Sequence, residues 1–151
     1  MKKEIRINPI RSGTAIDHLQ PGAAYKILEV LRLNEYAVTA GMNVESRKMG
    51  KKDIIFIEGK ELTESEMSKI ALIGKGATIN TIRNSEIKNK SQLEYPKSVE
   101  GIMKCINPKC ITNAEKIPTK FSIKTGPLEA KCRYCETRMG EQDIISSIKS
   151  D

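Results

Sequence analysis

The chain has 151 residues, with 26 Lys or Arg against 19 Asp or Glu, so its formal net charge is +7. This length accommodates one domain or two small ones. No apolar run approaches the roughly 18 residues that a membrane span needs. The charged N-terminus, MKKEIRINPI, lacks the apolar core and cleavage site of a signal peptide. These features predict a cytoplasmic protein with no membrane partner.

The positive charge is concentrated in the N-terminal two thirds of the chain. Residues 1–97 carry 17 Lys/Arg against 12 Asp/Glu, a balance of +5, whereas residues 98–151 carry 9 against 7, a balance of +2. An excess of basic residues favours anionic partners. We therefore expect an anionic ligand on the N-terminal part.

The first half of the N-terminal part has alternating strand and helix patterns. Alternating apolar residues predict a strand at 4–10, and a second short extended piece follows at 14–17. An amphipathic helix runs from Ala23 to about Leu33 after Pro21-Gly22. Strands are predicted at 36–44 and 53–58, with a basic turn, RKMGKK, at 47–52.

The next elements complete a recognisable order. Thr63 and Glu66 form a capping-box pattern that opens a helix, and Gly74 ends it. Short strands follow at 78–82 and 86–89. The order β, α, β, β, α, β is that of the ferredoxin-like arrangement, an antiparallel sheet with two helices on one face.

A segment around Pro96, residues 94–98, is a plausible link, because proline interrupts both helices and strand ladders. Beyond it, extended stretches at 117–124 and 128–131 and a terminal helix at 142–148 predict a small β-rich unit. We therefore expect an α+β protein with an N-terminal domain at residues 1–95 and a C-terminal domain at residues 96–151.

All four cysteines of the chain lie in this C-terminal unit, as Cys105 with Cys110 and Cys132 with Cys135. Two closely spaced pairs on tight turns are typical of a tetrahedral Zn²⁺ site. Four sulfur ligands leave no position for water, so a single zinc ion here is structural rather than catalytic. Four unrelated buried thiols or a disulfide pair are the alternatives.

Several catalytic classes lack their residues. His18 is the only histidine, which excludes two-histidine metal sites, and the chain contains neither a GxSxG elbow nor a GxxxxGK[ST] phosphate loop. Gly74-Lys75-Gly76 follows a helix and is better explained as a helix stop. We therefore expect no catalytic residues and no enzymatic activity of the chain itself.

A zinc-ribbon nucleic-acid-binding protein is the alternative function. Four thiolates on one Zn²⁺ carry a formal charge of −2, which leaves the C-terminal unit near neutral. The chain has 2 Phe, 4 Tyr and no Trp, so aromatic platforms for bases are few. These observations favour a two-module binding protein without a nucleic-acid partner.

Several stretches together resemble the regulatory chains of aspartate carbamoyltransferase. They are GTAIDHL (13–19), GMNVESRKMGKKDII (41–55), ALIGKGATINTIRN (71–84), NPKCITNAE (107–115) and KCRYCE (131–136). The resemblance extends over nearly the whole chain. It implies an allosteric nucleotide-binding domain followed by a zinc domain. It also implies a non-catalytic subunit of an enzyme of pyrimidine biosynthesis.

The resemblance further implies partners and site residues. Regulatory chains pair as homodimers and link catalytic chains into a dodecamer of six catalytic and six regulatory chains, with CTP, UTP and ATP as effectors. The matching nucleotide-binding positions are Ile10, Asp17, His18, Lys52, Asn80, Ile82 and Lys90. The matching positions at the interface with the catalytic chain are Asn107, Lys109, Arg133 and Glu136.

Three positions depart from the familiar bacterial chain of this family. Phe56 stands where that chain has a lysine that contacts ribose and base, and Ser85 stands where it has a tyrosine at the edge of the pocket. Lys109 replaces an asparagine at the interface. The first two changes remove polar or aromatic contacts, so they bear on discrimination between CTP and ATP.

Overall fold

The computed structural model describes residues 11–150, which form two antiparallel sheets with associated helices. The predicted strand at 4–10 and the candidate residue Ile10 lie outside the described residues. Among residues 11–150, no helix has the length and apolar character that crossing a bilayer requires.

Between residues 11 and 95, the N-terminal part contains five strands and two helices. They are β1 (Gly13–Leu19), α1 (Ala23–Val30), β2 (Val38–Ser46), β3 (Gly50–Glu58), α2 (Glu64–Ile73), β4 (Thr78–Arg83) and β5 (Glu86–Gln92). The sheet order is β2-β3-β1-β4-β5, and every neighbouring pair is antiparallel. This is the predicted ferredoxin-like arrangement with β5 added at one edge. The piece expected at 14–17 is its central strand.

One face of this sheet is buried beneath the helices. Ile16 on β1 lies opposite Ile55 on β3 and Ile79 on β4, and all three are buried in the hydrophobic core. Because side chains alternate along a strand, the residues between them point to the other face. Helix α1 packs against β3, and its buried residues Ala24 and Ile27 belong to the same core, whereas the second face carries Asp17, Phe56 and Asn80. The sheet therefore has a helix-covered face and an open face.

Asp53 connects this core to the start of α1. Its carboxylate is fully buried and accepts hydrogen bonds from the backbone N–H groups of Gly22 at 2.8 Å, Ala24 at 3.1 Å and Asn43 at 2.8 Å. Gly22 is the N-cap residue of α1 and has no side chain of its own. Asp53 thus caps α1 from a neighbouring strand.

Both helices of the N-terminal part form, and one is shorter than expected. The capping box of α2 is confirmed, because Thr63 Oγ1 accepts from Glu66 N and Glu66 Oε1 accepts from Thr63 N. The prediction that α1 extends to about Leu33 is wrong. The backbone of Leu31 is extended, with φ −94° and ψ 128°, so the helix ends at Val30.

The C-terminal part is the predicted small β-rich unit. It contains β6 (Ser98–Glu100), α3 (Ile111–Ala114), β7 (Lys120–Lys124), β8 (Glu129–Cys132), β9 (Arg138–Gly140) and α4 (Glu141–Ser147). The sheet order is β6-β7-β8-β9. Phe121, Ala130, Met139 and Ile144 are fully buried and form the centre of its core. The α+β class is therefore confirmed.

The two parts meet on the helix-covered side of the first sheet. Helix α4 packs against α2, and Ser150 Oγ donates to the carbonyl oxygen of Glu29 at 3.4 Å. Between the parts lies a cavity of about 270 Å³, whose lining includes Lys75, Tyr95 and Glu141. The open face of the first sheet is on the opposite side from this contact.

Candidate functional sites

The four cysteines converge on one point in the C-terminal part. Cys105 lies in the loop after β6, Cys110 is the N-cap residue of α3, Cys132 ends β8, and Cys135 lies in the turn before β9. Their four Sγ atoms all lie within 4.8 Å of one another. None of them forms a disulfide.

The sulfur–sulfur distances match those of a tetrahedral zinc site. Cys105 Sγ is 3.6 Å from Cys135 Sγ, and Cys110 Sγ is 3.8 Å from Cys132 Sγ. A Zn–S bond of about 2.3 Å implies a tetrahedron edge of about 3.8 Å. The residues present therefore fit one structural zinc ion with four sulfur ligands and no open position.

The protonation of these thiols depends on their surroundings. Burial raises the pKa of Cys105 to about 12 and also raises the pKa of Cys132, although backbone N–H groups beside each sulfur oppose this. The hydrogen bond with the Thr137 hydroxyl lowers the pKa of Cys135 to about 6. A divalent cation at the centre supplies the positive charge that stabilises all four thiolates.

Asn113 organises the loop of the first cysteine pair, a role that no sequence motif predicted. Its Nδ2 donates to the carbonyl oxygens of Cys105 at 2.9 Å and Asn107 at 2.7 Å. The loop between Cys105 and Cys110 is thus held by a side chain from α3. An asparagine three residues after a cysteine ligand is the only sequence signal of this role.

The predicted nucleotide-binding residues of the described region gather on the open face of the first sheet. Asn80 on β4 lies opposite Ala15 on β1 and Lys90 on β5, while Asp17 lies opposite Thr78. By the alternation of strand residues, this face also carries Lys52 and Ile82. Strands that are far apart in the sequence thus bring these candidates to one surface.

A polar cluster lies at one end of β1. Lys52 Nζ is 2.8 Å from Asp17 Oδ1, which also accepts from the backbone N–H of His18 at 2.6 Å. His18 Nδ1 is 3.0 Å from Thr78 Oγ1. Burial by itself raises the pKa of Asp17, but the hydrogen bond from Lys52 and the His18 contacts outweigh it and hold the pKa below its usual value.

His18 departs from regular strand geometry. Its φ is 57°, and the pairing of β1 with β3 shifts register between Ile16 and Leu19. The irregular backbone brings the imidazole beside Thr78, the cross-strand partner of Asp17. Thr78 was not among the predicted residues. Only the folded sheet identifies it as a neighbour of both Asp17 and His18.

Two further polar groups on this face are without partners among the described residues. Asn80 Oδ1 is buried and makes no hydrogen bond. Lys90 is exposed and makes no ion pair within residues 11–150. A buried amide oxygen without a donor is uncommon in folded proteins, so this position is suited to a ligand.

Comparison with known proteins identifies the family. The family model described as aspartate carbamoyltransferase regulatory chain, allosteric domain, matches residues 5–94, and the one for the metal binding domain matches residues 97–145. This chain belongs to the aspartate carbamoyltransferase regulatory chain family.

Curated relatives with the name aspartate carbamoyltransferase regulatory chain match this chain over nearly their whole length. The regulatory chain from Pyrococcus horikoshii is 44% identical over 96% of this chain and 99% of its own length. That from Sulfolobus acidocaldarius is 44% identical over 97% and 93%, and that from Methanococcus maripaludis is 45% identical over 90% and 93%. The expected non-catalytic role of a regulatory chain is therefore confirmed.

The residues predicted to contact the catalytic chain all lie on the two cysteine turns. Lys109, Arg133 and Glu136 are exposed, and Asn107 is half-buried. The same turns expose apolar side chains, namely Ile106, Ile111 and Tyr134. The zinc site thus supports a surface with apolar and charged groups side by side.

The two departures in the nucleotide region fall at different places. Phe56 lies on the open face, directly between Ala15 on β1 and Thr39 on β2. Ser85 lies in the turn between β4 and β5 with φ 63°, and its backbone N–H donates to the carbonyl oxygen of Arg11 at 2.7 Å. Phe56 is therefore the departure that faces the candidate site.

Proposed function

We propose that this chain is a regulatory subunit that binds CTP, UTP and ATP and transmits their effect to the catalytic chains of aspartate carbamoyltransferase. Residues 1–95 are the effector domain, and residues 96–151 are the zinc domain that docks on the catalytic chain. The protein acts in the cytoplasm as part of pyrimidine biosynthesis.

The observation that carries this proposal is the gathering of six candidates on the open sheet face. Asp17, His18, Lys52, Asn80, Ile82 and Lys90 combine cations, hydrogen-bonding groups and an apolar side chain. Phosphates are bound well by lysine and imidazole, and an apolar side chain suits a base. A nucleoside triphosphate matches this combination of groups.

Lys52 and Lys90 have different parts in this binding. Lys52 is already paired with Asp17, so its ammonium is held in place before a ligand arrives. Lys90 is exposed and free to move toward a phosphate. We expect Lys90 to supply most of the phosphate attraction and Lys52 to orient the ligand beside Asp17.

The surface around the zinc site supports docking on the catalytic chain. Ile106, Ile111 and Tyr134 supply an apolar centre, and Asn107, Lys109, Arg133 and Glu136 supply its polar surroundings. Protein interfaces commonly combine an apolar centre with a polar rim. Zinc holds the two turns in register, so the metal is needed for the surface but takes no part in chemistry.

A second copy of the chain completes the proposed assembly. Strand β2 is at the edge of the first sheet, and it exposes Met42 by 46% and Val44 by 37%. An exposed edge strand with apolar side chains favours pairing with another chain. Such homodimers link catalytic chains into an assembly of six catalytic and six regulatory chains.

The test uses the full chain assembled with its catalytic chain. Calorimetry is expected to detect binding of CTP, UTP and ATP, and enzyme assays are expected to change severalfold with effector, as couplings of about 1–3 kcal/mol produce. The Lys90→Ala variant is expected to weaken nucleotide binding roughly tenfold. Lys124→Ala, which removes an exposed lysine from β7, is the matched control.

Two results would overturn the proposal. Absence of any nucleotide binding by the assembled complex would contradict the effector role. Failure of the purified chain to capture the catalytic chain, with recovery of nucleic acid instead, would contradict the docking role and favour the zinc-ribbon alternative.

A further inference from the structure

The outer face of the second sheet carries a row of polar side chains. Ser122 on β7, Lys131 on β8 and Arg138 on β9 pair with one another across neighbouring strands. Their strand neighbours Phe121 and Met139 are fully buried in the core. Because side chains alternate along a strand, the polar row lies on the face of the sheet that points away from this core.

A cavity of about 130 Å³ lies among these side chains. Its lining consists of the polar row and a second cross-strand pair, namely Ser122, Lys131, Arg138, Lys124 and Glu129. Pockets for larger organic ligands commonly have about 300–1,000 Å³, so this cavity suits a small ion. A wider depression beside the turn between β7 and β8 shares Lys124, Glu129 and Arg138 with it but adds no further cation.

Positive charge exceeds negative charge in this lining. Lys124, Lys131 and Arg138 face the single carboxylate of Glu129. Glu129 Oε1 is 3.6 Å from Arg138 Nε, and solvent weakens this pair because the arginine side chain is 65% exposed. Lys124 and Lys131 make no ion pair within residues 11–150. Two cations of the cavity therefore lack a counter-ion among these residues.

The pairing of Lys131 with Arg138 is unfavourable by itself. The two residues are direct cross-strand partners, and like charges directly opposite one another destabilise a sheet. Lys131 is also half-buried, so water screens its charge less than that of an exposed lysine. An anion between the two side chains replaces this repulsion with two attractions.

Ser122 supplies a hydrogen-bond donor at the same cavity. Its Oγ accepts from Arg133 Nε at 3.1 Å. Its own hydroxyl hydrogen has no acceptor within residues 11–150, so it is available to a ligand. Ammonium, guanidinium and hydroxyl groups are the side-chain donors that phosphate oxygens commonly accept from.

We propose that this cavity binds one free inorganic phosphate ion between Lys131 and Arg138, with Ser122 as a further donor. Lys124 adds positive charge from the next cross-strand pair. Glu129 opposes binding, because its carboxylate repels the anion and competes for Arg138. The cavity is too small for a whole nucleotide. The candidate effector site lies on the other sheet, so this inference does not depend on the effector role.

The test is an NMR titration of the zinc-loaded full chain with inorganic phosphate at constant ionic strength. We expect saturable changes in the amide signals of Ser122, Lys131 and Arg138. Lys131→Gln and, separately, Arg138→Gln are each expected to weaken phosphate binding roughly tenfold, since each removes one charge-assisted hydrogen bond. Glu129→Gln is expected to strengthen it, because the repelling carboxylate is gone. ATP is expected to leave these three signals unchanged.

Lys116→Gln is the matched control, because it removes the charge of an exposed lysine of the same part that does not line the cavity. Retention of zinc by each variant shows that it has folded. Equal weakening in Lys116→Gln would show attraction by net charge alone and would overturn the site. Signals that do not saturate, or weaker binding in Glu129→Gln, would overturn it as well. Changes of the same three signals with ATP would contradict a site for free phosphate.

Discussion

Lys52 and Asp53 are adjacent in sequence but serve opposite faces of one sheet. Lys52 points to the open face and pairs with Asp17, whereas Asp53 is fully buried and caps α1. The alternation of side chains along β3 produces this division. Lys52 thus belongs to the candidate effector site on one face, and Asp53 holds the start of α1 on the other.

Replacement of Asp53 tests the structural half of this pair. Asp53→Ala leaves the backbone N–H groups of Gly22, Ala24 and Asn43 without their acceptor, and a buried unsatisfied donor is costly. We expect the free energy of unfolding to fall by about 3 kcal/mol, as measured by denaturant titration of the zinc-loaded chain.

Glu61→Ala is the control for that measurement. Glu61 pairs with Arg83 on the surface, where both side chains are more than half exposed. Exposed ion pairs contribute about 0–1 kcal/mol, so this variant is expected to remain close to the unaltered chain. An equal decrease in the free energy of unfolding in Asp53→Ala and Glu61→Ala would contradict the capping role of Asp53.

At the scale of elements, we expect the second sheet to depend on the zinc ion for its stability. Its strands β6 and β9 have three residues each, so this sheet has little apolar area of its own. Structural zinc contributes on the order of 10–16 kcal/mol in comparable peptides. On chelation, we expect amide protons of β7 and β8 to lose protection from hydrogen exchange while those of β1 and β3 keep theirs.

The same experiment can be run without a chelator. Cys110→Ser removes one zinc ligand and is expected to reproduce the loss of amide protection in β7 and β8. Ser146→Ala, which changes an exposed residue of α4, serves as the control. Protection of β7 in metal-free protein would show that the zinc does not hold this sheet together. Loss of protection in β1 as well would show that the two parts do not unfold separately.

Elements with strong local signals were predicted well from the sequence. Helix α2 has both a capping box and a terminal glycine, and it forms between them as expected. The four cysteines were identified as one metal site because ligand spacing is a local property. The βαββαβ order was also found, but its first strand is Gly13–Leu19, expected only as a short extended piece, and the strand predicted at 4–10 lies outside the described residues.

The ends of strands that depend on pairing with a neighbouring strand were predicted less well. Strand β3 begins at Gly50, in what was expected to be a turn, because Lys51 pairs with Glu45 across the hairpin. Strand β5 continues to Gln92 and is exposed at every residue, so no apolar pattern marked its end. Asn113 and Thr78 likewise have their roles only through contacts that the fold creates.

At the scale of the whole molecule, the link between the two parts is in contact with both. Tyr95 lies in this link with Lys75 Nζ 5.7 Å from the centre of its ring, and Glu141 from α4 lines the same cavity. Burial, with a smaller contribution from the charge of Glu141, raises the pKa of Tyr95. The Tyr95 ring thus lies beside Lys75 of the N-terminal part and Glu141 of the C-terminal part.

We expect Tyr95→Ala to uncouple effector binding from its effect on the enzyme. Nucleotide affinity of the assembled complex should stay within about twofold, while the change in enzyme activity on adding nucleotide should fall by at least about half, given couplings of 1–3 kcal/mol. Tyr25→Ala, at a tyrosine that is 71% exposed on α1, is the control. A full response in Tyr95→Ala would exclude this ring from the transmission.

The central place of β1 in the first sheet has a consequence for how the chain folds. Gly13 pairs with residues 58 and 82, so within residues 11–150 the earliest strand pairs only with strands that are made much later. Such long-range pairings slow folding, and domains form from the N-terminus during synthesis. All five strands of the first sheet nevertheless leave the ribosome before any cysteine does. A newly made chain can therefore complete its first sheet before its four metal ligands have been synthesised.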